Sequence, residues 1–147
     1  MRTLSCFLSL VLVATLAGCG GSNTTPTNVG LYGNWNVVMY PTGNANPVYV
    51  FGLSLSQEGS NYSGGSIAYN GGVPAPSNMC INPNTLRATA TTSGSNFSMT
   101  VTDSTTSTVI SVTGTLASQT GQLSATYTNQ ASEGCTASQG TVVMSPQ

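Results

Sequence analysis

The chain has 147 residues, of which only 3% are charged, against the roughly 25% of an ordinary soluble protein. Lys and Arg number two, Asp and Glu three, and there is no histidine. One arginine in the body of the chain, Arg87, cannot supply the cationic footprint that a phosphate backbone requires, which excludes nucleic-acid binding. In chain order, Met1-Arg2 gives a short positive start, and Leu4 to Ala17 is largely apolar. At ~1.5 Å per residue this run spans about 21 Å, short of a hydrocarbon core of ~30 Å. It is expected to form an N-terminal signal helix, removed on export, rather than a membrane span.

The run ends in "LAGC", Leu16 to Cys19, which resembles the lipobox of bacterial lipoproteins. That resemblance implies cleavage after Gly18 and acylation of Cys19, so that residues 1–18 are the signal peptide and Cys19 the anchor. The other reading is an ordinary secretory signal with an incidental cysteine. Two or more acyl chains hold a protein stably at a membrane, at about 0.8 kcal/mol per buried CH₂. Lipoproteins retained at an inner membrane often carry an aspartate after the cysteine; here Gly20 stands there. In an organism with an outer membrane, the outer membrane is therefore the expected address. The expected location is the cell envelope, with the membrane itself as first partner.

Residues 19–29 contain "GGSNTTPTN", a flexible tether whose nine residues reach on the order of 17 Å. The remaining stretch, 30–147, is expected to be one domain. Its side chains balance at −2, one arginine against Glu58, Asp103 and Glu133. Low charge does not mean disorder here, because six Tyr, Phe51, Phe97 and many β-branched residues are present.

Period-two alternation recurs along this stretch, and no long 3.6-residue period appears. Trp35, Val37 and Met39 share one face of a first strand, and Tyr49, Phe51, Leu53 and Leu55 one face of a second. Gly59-Ser60-Asn61 turns into a third, Tyr62 to Tyr69. A long loop from Asn70 to Asn84 carries three prolines and Cys80. Strands then follow on Leu86, Ala88 and Ala90, on Phe97, Met99 and Val101, and on Ile110, Val112, Gly114 and Leu116. Leu123, Ala125 and Tyr127 mark the seventh, and Ala137 to Met144 the last. The expectation is all-β: about eight antiparallel strands in an up-and-down meander that closes into a small barrel. Closure would protect strand edges that no lysine guards. A two-sheet β-sandwich is the alternative.

"GNW", Gly33 to Trp35, resembles the G-x-W signature of lipocalins and the first strand of avidin-type barrels. The segment from Leu53 to Tyr69 is similar to the avidin-type strand, turn and glycine-containing strand that follow. The chain as a whole resembles Ser/Thr/Gly-rich bacterial lipoproteins with a late cysteine pair. The resemblance implies a calycin-type barrel with Trp35 on its floor. It does not carry over a ligand, because the last strand has no basic residue to pack on Trp35 and the single tryptophan falls short of a biotin site.

With Cys6 in the signal and Cys19 acylated, Cys80 and Cys135 remain as an even pair in an oxidising compartment, and a disulfide is expected. A redox or metal site is the alternative, disfavoured by the lack of CxxC and histidine. No cofactor and no metal are expected. Without histidine, Ser-His-Asp and Cys-His catalysis fall away. Glu58, Asp103 and Glu133 read as solvated turn residues rather than a carboxylate pair, so no catalytic residue is expected. The chain is expected to be non-enzymatic. Either it holds a small apolar ligand among Trp35, Tyr49, Phe51, Tyr69, Phe97 and Tyr127, with Ala88, Ala90, Gly114 and Ala125 leaving room, or its outer faces contact an envelope protein or glycan. The Asn70 to Asn84 loop is expected either to cross one barrel mouth or to be an inert connection.

Overall fold

The computed structural model describes residues 30–77, 79–116, 121–132 and 135–147. The signal segment 1–18, Cys19 and its tether to residue 29, and Glu133 lie outside the described residues. Eight strands follow in chain order: β1 (Gly33–Pro41), β2 (Tyr49–Glu58), β3 (Asn61–Ile67), β4 (Leu86–Ser93), β5 (Asn96–Asp103), β6 (Val109–Thr115), β7 (Leu123–Asn129) and β8 (Ser138–Pro146). Each pairs antiparallel with the next, and β1 pairs with β8, giving a closed up-and-down barrel and not a sandwich.

The alternation in the sequence becomes inside and outside. Trp35, Val37 and Met39 of β1, Tyr49 to Leu55 in steps of two on β2, and Leu123, Ala125 and Tyr127 of β7 all join one buried core. Cβ atoms alternate across a strand, so every second residue is thrown onto the outer wall. Ser and Thr occupy most of those outward places. Two-residue turns at Gly59-Ser60 and Gly94-Ser95 join β2 to β3 and β4 to β5. Gly59 and Gly94 have φ of +61° and +60°, and a glycine with positive φ at the first central position suits the type II′ hairpin turn.

An up-and-down barrel has two unlike ends. At one, here the hairpin end, the chain enters at Gly30 and Leu31, β2 turns into β3, and β4 into β5. At the other, the loop end, lie the connections 42–48, 68–85, 104–108 and 130–137. The hairpin end is shut by apolar side chains, Leu31, Trp35, Leu55, Tyr62, Phe97 and Leu123, all buried. The Trp35 indole N–H donates to the Leu31 carbonyl at 2.8 Å. The incoming chain thus folds under the tryptophan.

β3 ends at Ile67 opposite Gly52, two residues earlier than the alternation predicts. The chain then crosses the outer wall. A Cβ on Gly52 would lie 2.7 Å from the Ile67 carbonyl oxygen and 2.8 Å from that of Ala68, so only glycine lets the crossing strap lie this close. Asn36, an outward but buried residue of β1, holds the strap: its amide donates to Asn70 Oδ1 at 3.0 Å and its Oδ1 accepts the Asn70 N–H at 3.1 Å. Gln147 Nε2 donates to both Asn36 Oδ1 and the Ala68 carbonyl, at 2.9 Å each.

Candidate functional site

Three of the four connections at the loop end are knit together. Cys80 and Cys135 form a disulfide, with Cα atoms 5.6 Å apart, tying connection 68–85 to connection 130–137. The Thr108 hydroxyl donates to the Cys80 carbonyl at 3.2 Å and sits 2.9 Å from the Ser132 hydroxyl, bringing in connection 104–108. Ile81, beside the bridge, is buried in the barrel core. The long loop therefore straps the outer wall with its first part and covers the loop-end mouth with its second.

Asp103 organises this end. Its carboxylate accepts the Asn82 N–H at 2.6 Å, the Thr85 hydroxyl at 2.7 Å, the Thr105 N–H and hydroxyl at 2.8 Å each, and the Thr106 hydroxyl at 3.0 Å. The residue is only 1% exposed, which corrects its reading as a solvated turn residue. Burial alone would raise its pKa. The hydrogen bonds outweigh burial and hold the carboxyl well below the usual carboxylate range. The signal was in the sequence: Phe97, Met99 and Val101 set the inward register of β5, and Asp103 is its next step.

Asn129 continues the inward register of β7 in the same way, after Leu123, Ala125 and Tyr127, and was not singled out by the sequence. Its amide donates to the Tyr49 hydroxyl at 3.0 Å, and its Oδ1 accepts the Ser138 N–H at 2.6 Å. The rings of Tyr49 and Tyr127 meet edge to face, 6.2 Å between centroids. Burial raises the pKa of both phenols. These groups are a satisfied polar cap on the core. Among the described residues, no buried side-chain polar atom lacks a partner.

Of the six residues expected to line a ligand space, the barrel brings together Trp35, Tyr49, Phe51, Phe97 and Tyr127, all buried against one another's neighbours in the core. Tyr69 is not among them. It lies beyond the end of β3, partly exposed, and its hydroxyl accepts the Val73 N–H at 3.3 Å. The small inward residues do not leave room. A Cβ on Gly114 would lie 2.7 Å from the Ala125 Cβ and 2.9 Å from the Phe97 ring. Small and large residues interdigitate, as is usual for a small barrel with a filled interior.

Three grooves lie on the outside of the barrel. One of about 700 Å³ lies over β1, β7, β8 and the β1–β2 connection. One of about 420 Å³ lies over β3 to β5 and includes Glu58, and one of about 670 Å³ near Arg87 faces β3 and β4. They are cut into a wall of hydroxyl rungs. Thr91, Ser98, Thr113, Thr126 and Thr141 stand opposite one another in sequence around five strands. Thr89, Thr100, Ser111, Thr128 and Gln139 form the neighbouring rung. Cross-strand pairs of this kind stabilise a sheet by roughly 0.2–1 kcal/mol each.

Glu58 ends β2 at the hairpin end, whereas Asp103 ends β5 at the loop end, so these two carboxylates cannot act as a pair. Among the described residues, no three His, Cys, Asp or Glu come together to hold a metal ion. No helix among them is long and apolar enough to cross a membrane. No known protein family, curated protein or solved structure matches this chain.

Proposed function

We propose that this chain is a lipid-anchored, non-enzymatic module of the bacterial cell envelope that works through the outside of its barrel. The observation that carries the contact reading is the packed interior, where a Cβ on Gly114 would meet Ala125 and the Phe97 ring, beside three grooves on the outer wall. A small apolar ligand would have to displace the chain's own core. The anchor reading rests on the ordered signal at Met1-Arg2, Leu4 to Ala17 and "LAGC". Cys19 carries the lipid in this reading, and Gly20 directs the protein to an outer membrane where there is one. The chain enters the barrel at Gly30, so the hairpin end faces the membrane and the disulfide-bound loop end faces away. The partner is an envelope protein or glycan, met by neutral hydroxyl and amide groups.

Labelling cells with radioactive palmitate tests the anchor: Cys19→Ala should abolish incorporation and move the protein out of the membrane fraction. Incorporation that survives the change would overturn acylation at Cys19. Native mass spectrometry of the protein from its host tests the contact reading. A small molecule retained stoichiometrically by the barrel would overturn it.

A further inference from the structure

The groove over β1, β7 and β8 differs from the other outer grooves in being a built, uncharged site with an aromatic side chain in it. On its floor, Tyr40, Thr141 and Thr126 form one cross-strand rung and Gln139 and Thr128 the next. Rungs on one face lie ~6.8 Å apart along a strand and ~4.8 Å apart between strands, the scale of a single sugar ring. Its wall is the β1–β2 connection, held in place from both sides. The Thr42 N–H and hydroxyl both donate to the Gln139 carbonyl, at 2.9 and 3.1 Å. Asn44 N–H closes a turn onto the Pro41 carbonyl at 3.0 Å, and Asn44 Oδ1 accepts the Asn46 N–H at 2.9 Å.

The volume, about 700 Å³, falls within the roughly 300–1,000 Å³ of ligand sites, and the groove is open along its length. No residue that lines it is charged. An anion finds no cation there, and a cation finds no carboxylate. Two tyrosines border it: Tyr127 is buried with its ring in the barrel core, so Tyr40, partly exposed, supplies the one accessible aromatic ring, with an apolar face and a polar tip. Around it stand the hydroxyls of Thr126, Thr128 and Thr141 and the amide of Gln139, all on exposed residues. A protein partner is less well served, because one aromatic among hydroxyls lacks the cluster of Trp, Tyr and Arg anchors that carries such interfaces.

We propose that this groove binds a neutral glycan chain, with the Tyr40 ring stacked on the C–H face of one sugar. Gln139, Thr141 and Asn44 exchange hydrogen bonds with the hydroxyls and any N-acetyl group of that sugar and its neighbours. This deepens, and rests on, the reading of the outer wall as the working surface.

The test uses the full chain purified in detergent and ligand-observed saturation-transfer NMR. The probes are chitotetraose, cellotetraose and maltotetraose, with a heparin tetrasaccharide as the charged comparison. Saturation should pass to at least one neutral oligosaccharide and not to heparin. Tyr40→Ala should weaken that binding by about tenfold or more, the effect of losing one good contact, whereas Tyr40→Phe should retain it. If Tyr40→Ala fails to fold, Gln139→Ala, on an exposed rung, makes the same comparison. Absence of transfer to every neutral probe, preference for heparin, or binding indifferent to both alanine changes overturns the proposal. Capture of a protein through this groove without glycan binding also overturns it, while leaving the outer wall as the working surface. The anchor is scored separately by Cys19→Ala fractionation, so loss of glycan binding with membrane retention removes only the present inference.

Discussion

The two ends of the barrel are closed by different physics. At the hairpin end the connections between β2 and β3 and between β4 and β5 are two residues long, and apolar side chains suffice. Leu31 tucks under Trp35, and Leu55, Tyr62, Phe97 and Leu123 fill the rest. At the loop end, connection 68–85 must be ordered against a larger conformational entropy, and it brings backbone polar groups over the core. There a covalent bridge, a five-fold accepted carboxylate and a buried amide do what packing does opposite. The two-residue turns are closed by burial alone, whereas the long connection 68–85 carries directional and covalent ties.

The largest test of this contrast is the bridge. Its ring separates residues by 55 positions, which the chain-entropy account values at about 4 kcal/mol. Cys80→Ser with Cys135→Ser should lower unfolding stability by about that amount in a denaturant titration. Hydrogen exchange should show the amides near Asp103 and Asn129 losing protection before those around Trp35. Uniform loss at both ends would break the contrast.

Asp103→Asn comes next, with an expected cost of about 2 kcal/mol, since an amide nitrogen would face donors that now meet carboxylate oxygen. This residue also predicts a pH dependence. Its folded pKa lies below the unfolded value of about 3.9. The stabilisation is therefore present above about pH 4 and lost as pH falls below it. In Asp103→Asn, acid titration of stability should flatten over that range; an unchanged acid slope would assign it to other groups.

The smallest effect is expected at the hairpin end. Trp35→Phe keeps most of the apolar volume but removes the donor to the Leu31 carbonyl, at a cost of about 1 kcal/mol. A loss as large as that of the bridge would break the contrast between the two ends.

Much of the barrel was legible along the chain because alternation in β structure is read one residue at a time. The inward sets Trp35/Val37/Met39, Phe97/Met99/Val101 and Leu123/Ala125/Tyr127 came directly from it. What misled was chemistry read without register. Asp103 and Asn129 are polar and sit near turns, yet each is one step further along an inward row. Tyr69 failed for the opposite reason: it follows the alternation of β3, but the strand stops at Ile67 to cross over Gly52. Gly114 looked like space and is the socket for Phe97.

The sequence by itself determined the all-β class, the order of eight strands, the pairing of the last two cysteines and the near absence of charge. Each of these follows from local period, turn residues or simple counts. Only the tertiary structure decided that the interior is filled, that the long loop serves as both strap and lid, and that Tyr40 shares a groove with Gln139 and Thr141. Those facts depend on which residues meet across strands far apart in the chain. Closure of β1 onto β8 was expected from the unguarded edges, but the register that puts Tyr40 opposite Thr141 is fixed only in the folded barrel.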